Sequence, residues 1–184
     1  MKKHLLPIMI LLLLVSSCKK EQNPFLIGEN NIGSLTDSTQ VKNLKSVFPN
    51  DSIVTNKGDA MFRIPMNLVE VYEKKGNLLL ALTPKMLIDS SSTIANIRIN
   101  DSRYKTEKGI STLSRFKDIQ DAYKISKIDN LINAIVISVN EINAQFAIDK
   151  TELPANLRYD MDIKIEAAQI PDNAKIKYFF INWD

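Results

Sequence analysis

Histidine and cysteine are almost missing from this sequence of 184 residues, which contains one of each, His4 and Cys18. Ser-His-Asp and Cys-His catalysis both require an imidazole, and zinc sites draw on His and Cys ligands. Since His4 lies in a segment that we expect to be removed, these classes of catalytic and metal site are excluded. With a single Cys, no intrachain disulfide can form either.

Glycine is also scarce, with five residues in the whole chain: Gly28, Gly33, Gly58, Gly76 and Gly109. No two stand close enough to form a phosphate-binding loop, so the sequence argues against a nucleotide site. The formal net charge is +3 and falls to +1 without residues 1–17, which leaves no strong field to attract nucleic acid. The sequence therefore predicts no cofactor, no metal and no nucleic-acid partner, and the catalysis it leaves open is that of carboxylate pairs, in which Asp or Glu acts as acid, base or nucleophile.

The N-terminus has the pattern of a signal peptide. Lys2 and Lys3 precede an apolar run at residues 5–15, which is too short to span a membrane as a helix. Residues 15–18 (VSSC) then resemble the lipobox of bacterial lipoproteins, with a branched aliphatic residue three positions before the Cys and small residues between them. This resemblance implies that residues 1–17 are removed and that Cys18 carries acyl chains such as palmitate. More than one chain on Cys18 would hold the protein at a membrane surface.

The residues after Cys18 bear on its location. Residues 19–22 (KKEQ) lack the Asp that directly follows the Cys in lipoproteins retained at the inner membrane, so the outer membrane is favoured. They also match poorly the acidic tag that directs some lipoproteins to the cell surface. We therefore expect the protein to face the periplasm, with the cell surface as the alternative.

The rest of the chain contains a repeated pattern. Residues 41–48 and 116–123 have apolar residues at the same helical spacing, which predicts two short amphipathic helices. Each is followed by a predicted β-hairpin and a closing strand: residues 68–72, 78–82 and 94–100 in the first half, and residues 134–139, 144–148 and 176–182 in the second. We therefore predict an α+β fold of tandem duplicated α-β-β-β units, residues 28–102 and 103–184, after a tether at residues 18–27.

Two resemblances follow from these segments. Residues 50–54 (NDSIV), 104–110 (YKTEKGI) and 170–183 (IPDNAKIKYFFINW) resemble a group of small uncharacterised lipoproteins of Gram-negative bacteria. The tandem layout is similar to that of the β-lactamase inhibitory protein and, in each half, to the small lipoprotein of the outer-membrane barrel assembly machine. The second likeness concerns architecture only and implies no functional residue.

The closing strands contain the candidate partner-binding residues. Because alternate residues of a strand point to opposite faces, Phe179 and Ile181 are predicted to face the core, and Tyr178 and Phe180 the other side. The matching positions of the first half are polar, Asn96 and Arg98. An exposed aromatic patch often marks a binding site. The alternative is that residues 152–171 cover Tyr178 and Phe180.

These observations favour a lipoprotein of the outer membrane that is not an enzyme and acts as a protein-binding or structural module of the cell envelope. Its expected partners are the membrane, through Cys18, and another envelope protein. The competing hypothesis is a carboxylate-dependent hydrolase or a carbohydrate-binding module that acts on envelope polysaccharide. In an extended segment Asp160 and Asp162 would place two carboxylates on one face, as metal binding or acid–base chemistry requires, but the glycine and terminal glutamate of a calcium loop are missing. A glycosidase would need two carboxylates about 5–10 Å apart.

Overall fold

The computed structural model describes residues 23–56, 68–86 and 89–183. The predicted signal peptide and Cys18 lie outside these residues. In chain order the described segments form β1 (Leu26–Ile27), β2 (Asn31–Ile32), β3 (Leu35–Thr36), α1 (Leu44–Val47), β4 (Ser52–Asn56), β5 (Leu68–Tyr72), β6 (Leu78–Pro84), β7 (Ile94–Ile99), β8 (Lys105–Thr106), α2 (Phe116–Ala122), β9 (Lys127–Asn130), β10 (Ala134–Val139), β11 (Ala144–Asp149) and β12 (Ile176–Asn182). Single 3-10 turns occur at Val41–Asn43, Asn140–Ile142, Lys150–Glu152, Ala155–Leu157 and Ala167–Gln169. No helix within these segments has the length and apolar character needed to cross a bilayer.

An antiparallel sheet of eight strands organises the molecule, in the order β4-β5-β6-β7-β12-β11-β10-β9. The closing strands β7 and β12 lie side by side at its centre, where Phe179 pairs with Ile99 and Ile181 with Ile97. Because every neighbouring pair is antiparallel, β5, β7, β9 and β11 finish at the same end of the sheet. We call this the basal end, and the turns at residues 73–77 and 131–133 lie there.

A second, small sheet has the order β3-β2-β1-β8, in which β1 is parallel to β8. Its apolar residues Ile27, Ile32 and Leu35 are almost completely buried. Gly33 has a φ of +56°, and a Cβ at this position would lie 2.2 Å from the Pro24 carbonyl oxygen, so the turn requires glycine. The fold therefore begins before residue 28, and the last residues of the predicted tether belong to it.

The hydrophobic core lies against one face of the large sheet. Phe179 of β12 is fully buried and stacks on Phe146 of β11, with 4.6 Å between the ring centres. Helix α2 contributes Phe116 and Ile119 to this core, both fully buried, and α1 contributes Leu44. Burying large apolar side chains of this kind stabilises a fold by about 1.5–3 kcal/mol each, so this face holds the sheet together.

The α+β class and the two predicted hairpins are confirmed, and the closing strands lie where the sequence placed them. Tandem duplicated helix-plus-sheet units are not supported. The two helices are short and unequal, four residues in α1 and seven in α2. Each half also has four strands of the large sheet rather than three, because β4 and β9 were not predicted. These strands form the two edges of one continuous sheet rather than parts of separate units.

Candidate functional site

Tyr178 and Phe180 lie on the face of β12 that points away from the core. Their neighbours Phe179 and Ile181 are fully buried, whereas Tyr178 exposes 43% of its surface and Phe180 is half-buried. The two rings are 6.1 Å apart and inclined by 49°. The predicted alternation is confirmed for residues 178–181, and we call the face that carries Tyr178 and Phe180 the open face.

Residues 152–171 contribute to the core rather than covering Tyr178. Their buried apolar side chains belong to the same cluster as Phe179, on the other side of β12 from Tyr178: Leu153, Leu157, Ile165 and Ile170. The alternative, in which residues 152–171 cover the two aromatic rings, is therefore wrong for Tyr178.

The polar residues predicted for the site lie beside the aromatic pair. Arg98 of β7 pairs with Phe180, and Asn96 pairs with Asn182. The Asn96 amide donates a 2.8 Å hydrogen bond to the side-chain oxygen of Asn182, across the boundary between the two halves. The structure thus brings Tyr178, Phe180, Asn96 and Arg98 together. It also brings Asn182 to this site. In the sequence, the sign of this was that Asn182 lies two residues after Phe180, and residues two apart on a strand face the same side of the sheet.

Two cations approach the Tyr178 ring. The Arg98 guanidinium lies 5.9 Å from the ring centre and the Lys177 ammonium 5.7 Å from it. These distances allow a cation–π attraction, which is modest at exposed sites. Lys177 and Tyr178 are both exposed although they are neighbours on one strand, because β11 and β12 change register between Ala147 and Ile148. Such a bulge cannot be recognised in the sequence pattern, so Lys177 was missed.

Lys177 is held in place by Asp149 of β11. The ammonium lies 2.7 Å from a carboxylate oxygen of Asp149. Together with hydrogen bonds from Thr151, this contact lowers the pKa of Asp149 to about 2. The open face therefore combines two aromatic rings, two cations and the side-chain amides of Asn96 and Asn182.

Asp160 and Asp162 do not form an extended pair of carboxylates. They lie in a bend, where the Asp160 carboxylate accepts a 2.9 Å hydrogen bond from the backbone N–H of Asp162. Within the described segments, no group of three His, Cys, Asp or Glu residues converges as a metal site would require. The Asp160 carboxylate therefore stabilises the local bend.

An open cleft of about 530 Å³ lies beside α2 and includes Asp118 and Asp121. Both carboxylates are already engaged. Asp118 accepts a 2.7 Å hydrogen bond from the backbone N–H of Arg115, and Asp121 lies 2.6 Å from the Lys117 ammonium. Asp118 thus stabilises the first turn of α2, and Asp121 forms an ion pair with Lys117 on the surface of this helix.

The chain is similar to the uncharacterized protein YfeY from Escherichia coli, with 15% sequence identity, a TM-score of 0.49 and coverage of 84% of this chain and 97% of that one. No protein-family model matches the chain, and neither does any curated protein. The neighbour is an uncharacterised bacterial protein, and these comparisons lend no support to a likeness to the β-lactamase inhibitory protein.

Proposed function

We propose that this chain is a lipid-anchored protein of the outer membrane whose open face binds another protein of the cell envelope. The observation that carries the proposal is the exposed Tyr178 ring beside Phe180 and Arg98 on a sheet face opposite the core. Aromatic residues and arginine are enriched in the parts of interfaces that contribute most to affinity. The anchor at Cys18 is supported by the lipobox pattern of residues 15–18.

A protein partner fits this surface better than a small molecule. Ligands of low molecular weight bind mostly in concave pockets that enclose them. Tyr178 and Phe180 instead project from consecutive outward positions of a central strand, beside β7 and β11. An extended face of this kind can cover a comparably extended surface of another protein.

The proposal can be tested by crosslinking in the native envelope. A photoreactive amino acid replaces Gln145, which pairs with Phe180 on the open face, and the crosslinked partner is identified by mass spectrometry. A Tyr178→Ala/Phe180→Ala variant should lose most of this crosslink, whereas Leu113→Ala, at an exposed position before α2 and outside the large sheet, should keep it. Equal crosslinking in both variants would count against the open face.

The anchor is tested separately by metabolic labelling with a fatty-acid analogue. We expect the unaltered protein to take up the label and Cys18→Ser to lose it. A Cys18→Ser protein that keeps the label would show that the lipobox assignment is wrong.

The second candidate is the carboxylate-dependent hydrolase or carbohydrate-binding module. The observation in its favour is the cleft beside α2 with Asp118 and Asp121. If it is correct, Asp121→Asn should abolish the release of sugars from envelope polysaccharide, or binding to it, while Asp37→Asn, the same change at an exposed position outside the cleft, leaves the activity in place. Absence of any such activity in the unaltered protein would eliminate this candidate.

We also propose that the chain arose by duplication of one unit and that it is related to small lipoproteins of Gram-negative bacteria. In both halves a helix precedes four consecutive antiparallel strands, and β7 and β12 occupy equivalent central positions. The test is superposition of residues 44–99 on residues 116–182 in an experimental structure. Strands that do not coincide in this superposition would rule out duplication.

A further inference from the structure

Four large apolar side chains project into solvent from two neighbouring loops. Ile132 is 73% exposed and Tyr159 is 85% exposed, while Leu131 and Met161 expose almost half of their surfaces. We call these four residues the apolar tip. Single exposed apolar residues are common on protein surfaces, but several together mark a surface that binds something.

Asn130 joins the two loops. Its side-chain amide lies 3.0 Å from the Asp160 carbonyl oxygen, 3.3 Å from that of Met161 and 3.0 Å from that of Ile163. Since Leu131 directly follows Asn130, the loop at residues 159–163 is held beside the turn at residues 131–133. The apolar tip is therefore one surface rather than two separate loops.

The apolar tip lies at the basal end of the large sheet, because Asn130 is the last residue of β9. The chain enters the fold at the same end. The Arg103 guanidinium lies 4.6 Å from the centre of the Phe25 ring and 2.8 Å from a carboxylate oxygen of Glu73, in the basal turn at residues 73–77. The entry point and the apolar tip thus share one end of the molecule.

The tether is short in comparison with the fold. From Cys18 to Asn23, a fully extended chain reaches at most about 18 Å. Four strand spacings separate β7, beside the entry point, from β9, beside the apolar tip, which corresponds to roughly 19 Å. A lipid on Cys18 therefore keeps the basal end near the bilayer. The apolar tip lies at this same end, across the width of the sheet from the point where the chain enters the fold.

We propose that the apolar tip rests on the lipid surface and, together with the anchor, fixes the orientation of the protein on the membrane. Tyrosine suits this position because its ring is apolar and its hydroxyl remains hydrated at the headgroup level. The exposed Lys74 and Lys75 of the basal turn add attraction to anionic headgroups. Asp160 and Asp162 flank Met161, so the contact is confined to the headgroup region.

This inference rests on the anchor proposed above, so the experiment supplies the anchor chemically. Cys18 of the chain without residues 1–17 is coupled to a maleimide-bearing lipid in vesicles of phosphatidylethanolamine and phosphatidylglycerol with brominated acyl chains. Ile132→Trp reports on the apolar tip. Met86→Trp is the matched control, since Met86 is 59% exposed and follows β6 at the opposite end of the sheet. The native Trp183 is buried and gives the same background in both variants.

We expect the bromines to quench the added fluorescence of Ile132→Trp at least twofold more than that of Met86→Trp. Equal quenching, or stronger quenching of Met86→Trp, would overturn the proposal. In the absence of vesicles, the added tryptophan of Ile132→Trp should remain exposed to solvent at every protein concentration. If it became buried as the protein concentration rose, a second copy of the chain would cover the apolar tip, and the proposal would be overturned. Failure of lipidation in the cell is detected by the fatty-acid label alone, so the two proposals can fail independently.

Discussion

Arg98 and Tyr178 stand 5.9 Å apart, measured from the guanidinium carbon to the ring centre, on the two strands that join the halves of the sheet. Their contact lies on the open face, whereas the residues that alternate with them, Ile97, Ile99 and Phe179, are buried. The strand pair that stabilises the centre of the fold thus also presents the candidate binding surface.

Replacing the aromatic pair should separate binding from stability. In a Tyr178→Ala/Phe180→Ala protein we expect partner capture to fall at least tenfold, since burial of one such ring in a complex contributes roughly 1.5–3 kcal/mol. Thermal unfolding should change little, because cross-strand contacts on an exposed face contribute only about 0.2–1 kcal/mol each.

Phe179→Ala, one position away and fully buried, is the matched control and should lose about 3–5 kcal/mol of stability. A double variant as unstable as Phe179→Ala would assign both rings to the core.

Asn130→Asp tests the link between the two loops of the apolar tip. The substitution keeps the shape but replaces the amide donor with an acceptor that faces three carbonyl oxygens. We expect a loss of about 1–3 kcal/mol in the free energy of unfolding, measured in urea. Amide hydrogen exchange should also become faster in residues 159–163. Asn133→Asp introduces the same charge at a nearby exposed position and should change neither quantity appreciably.

Gly33→Ala should destabilise the small sheet. A left-handed backbone conformation costs a residue with a side chain about 1–3 kcal/mol, and the new Cβ would also meet the Pro24 carbonyl oxygen. Gly76 also has a positive φ, but nothing lies within 4 Å of a Cβ placed there. Gly76→Ala therefore measures the conformational cost alone. Equal melting temperatures for the two variants would mean that Pro24 does not restrict the turn.

Asp149 should contribute to acid sensitivity. Its pKa falls from 3.8 to about 2 in the folded protein, chiefly through Lys177 and Thr151. Because the unfolded chain binds this proton more readily, the contribution to stability is present above about pH 4 and is lost as the pH falls towards 2. Asp149→Asn should flatten the pH dependence of the melting temperature in this window. Lys177→Met should flatten it partially, and an unchanged profile in both would contradict the assignment.

The sequence pattern predicted the central strands well, because each is rich in apolar residues over five or more positions and short turns separate the strands of each hairpin. It missed the two edge strands, β4 and β9, and the four residues of β9 include the charged Lys127 and Asp129. Edge strands pair on one side only and need less apolar character. The small sheet was also missed, since strands of two residues are too short for any periodicity to be detected.

For the candidate site, alternation along β7 and β12 was enough to group Tyr178, Phe180, Asn96 and Arg98. Lys177 was missed because the bulge between Ala147 and Ile148 changes which residues face outwards. The apolar tip was missed for a different reason. Asn130 and Met161 are 31 residues apart in sequence, and no local pattern predicts that a side chain will bind the backbone of so distant a loop.

The parallel pairing of β1 with β8 determines how mechanical tension enters the molecule. A pull on the tether reaches the fold at Phe25 and passes through β1 to β8, which follows β7 in the chain. The load therefore arrives at the centre of the large sheet, where β7 is paired on both sides. Part of the pull also travels along the chain through β3 and α1 to the edge strand β4, so tension applied at this end is shared between an edge of the large sheet and its centre.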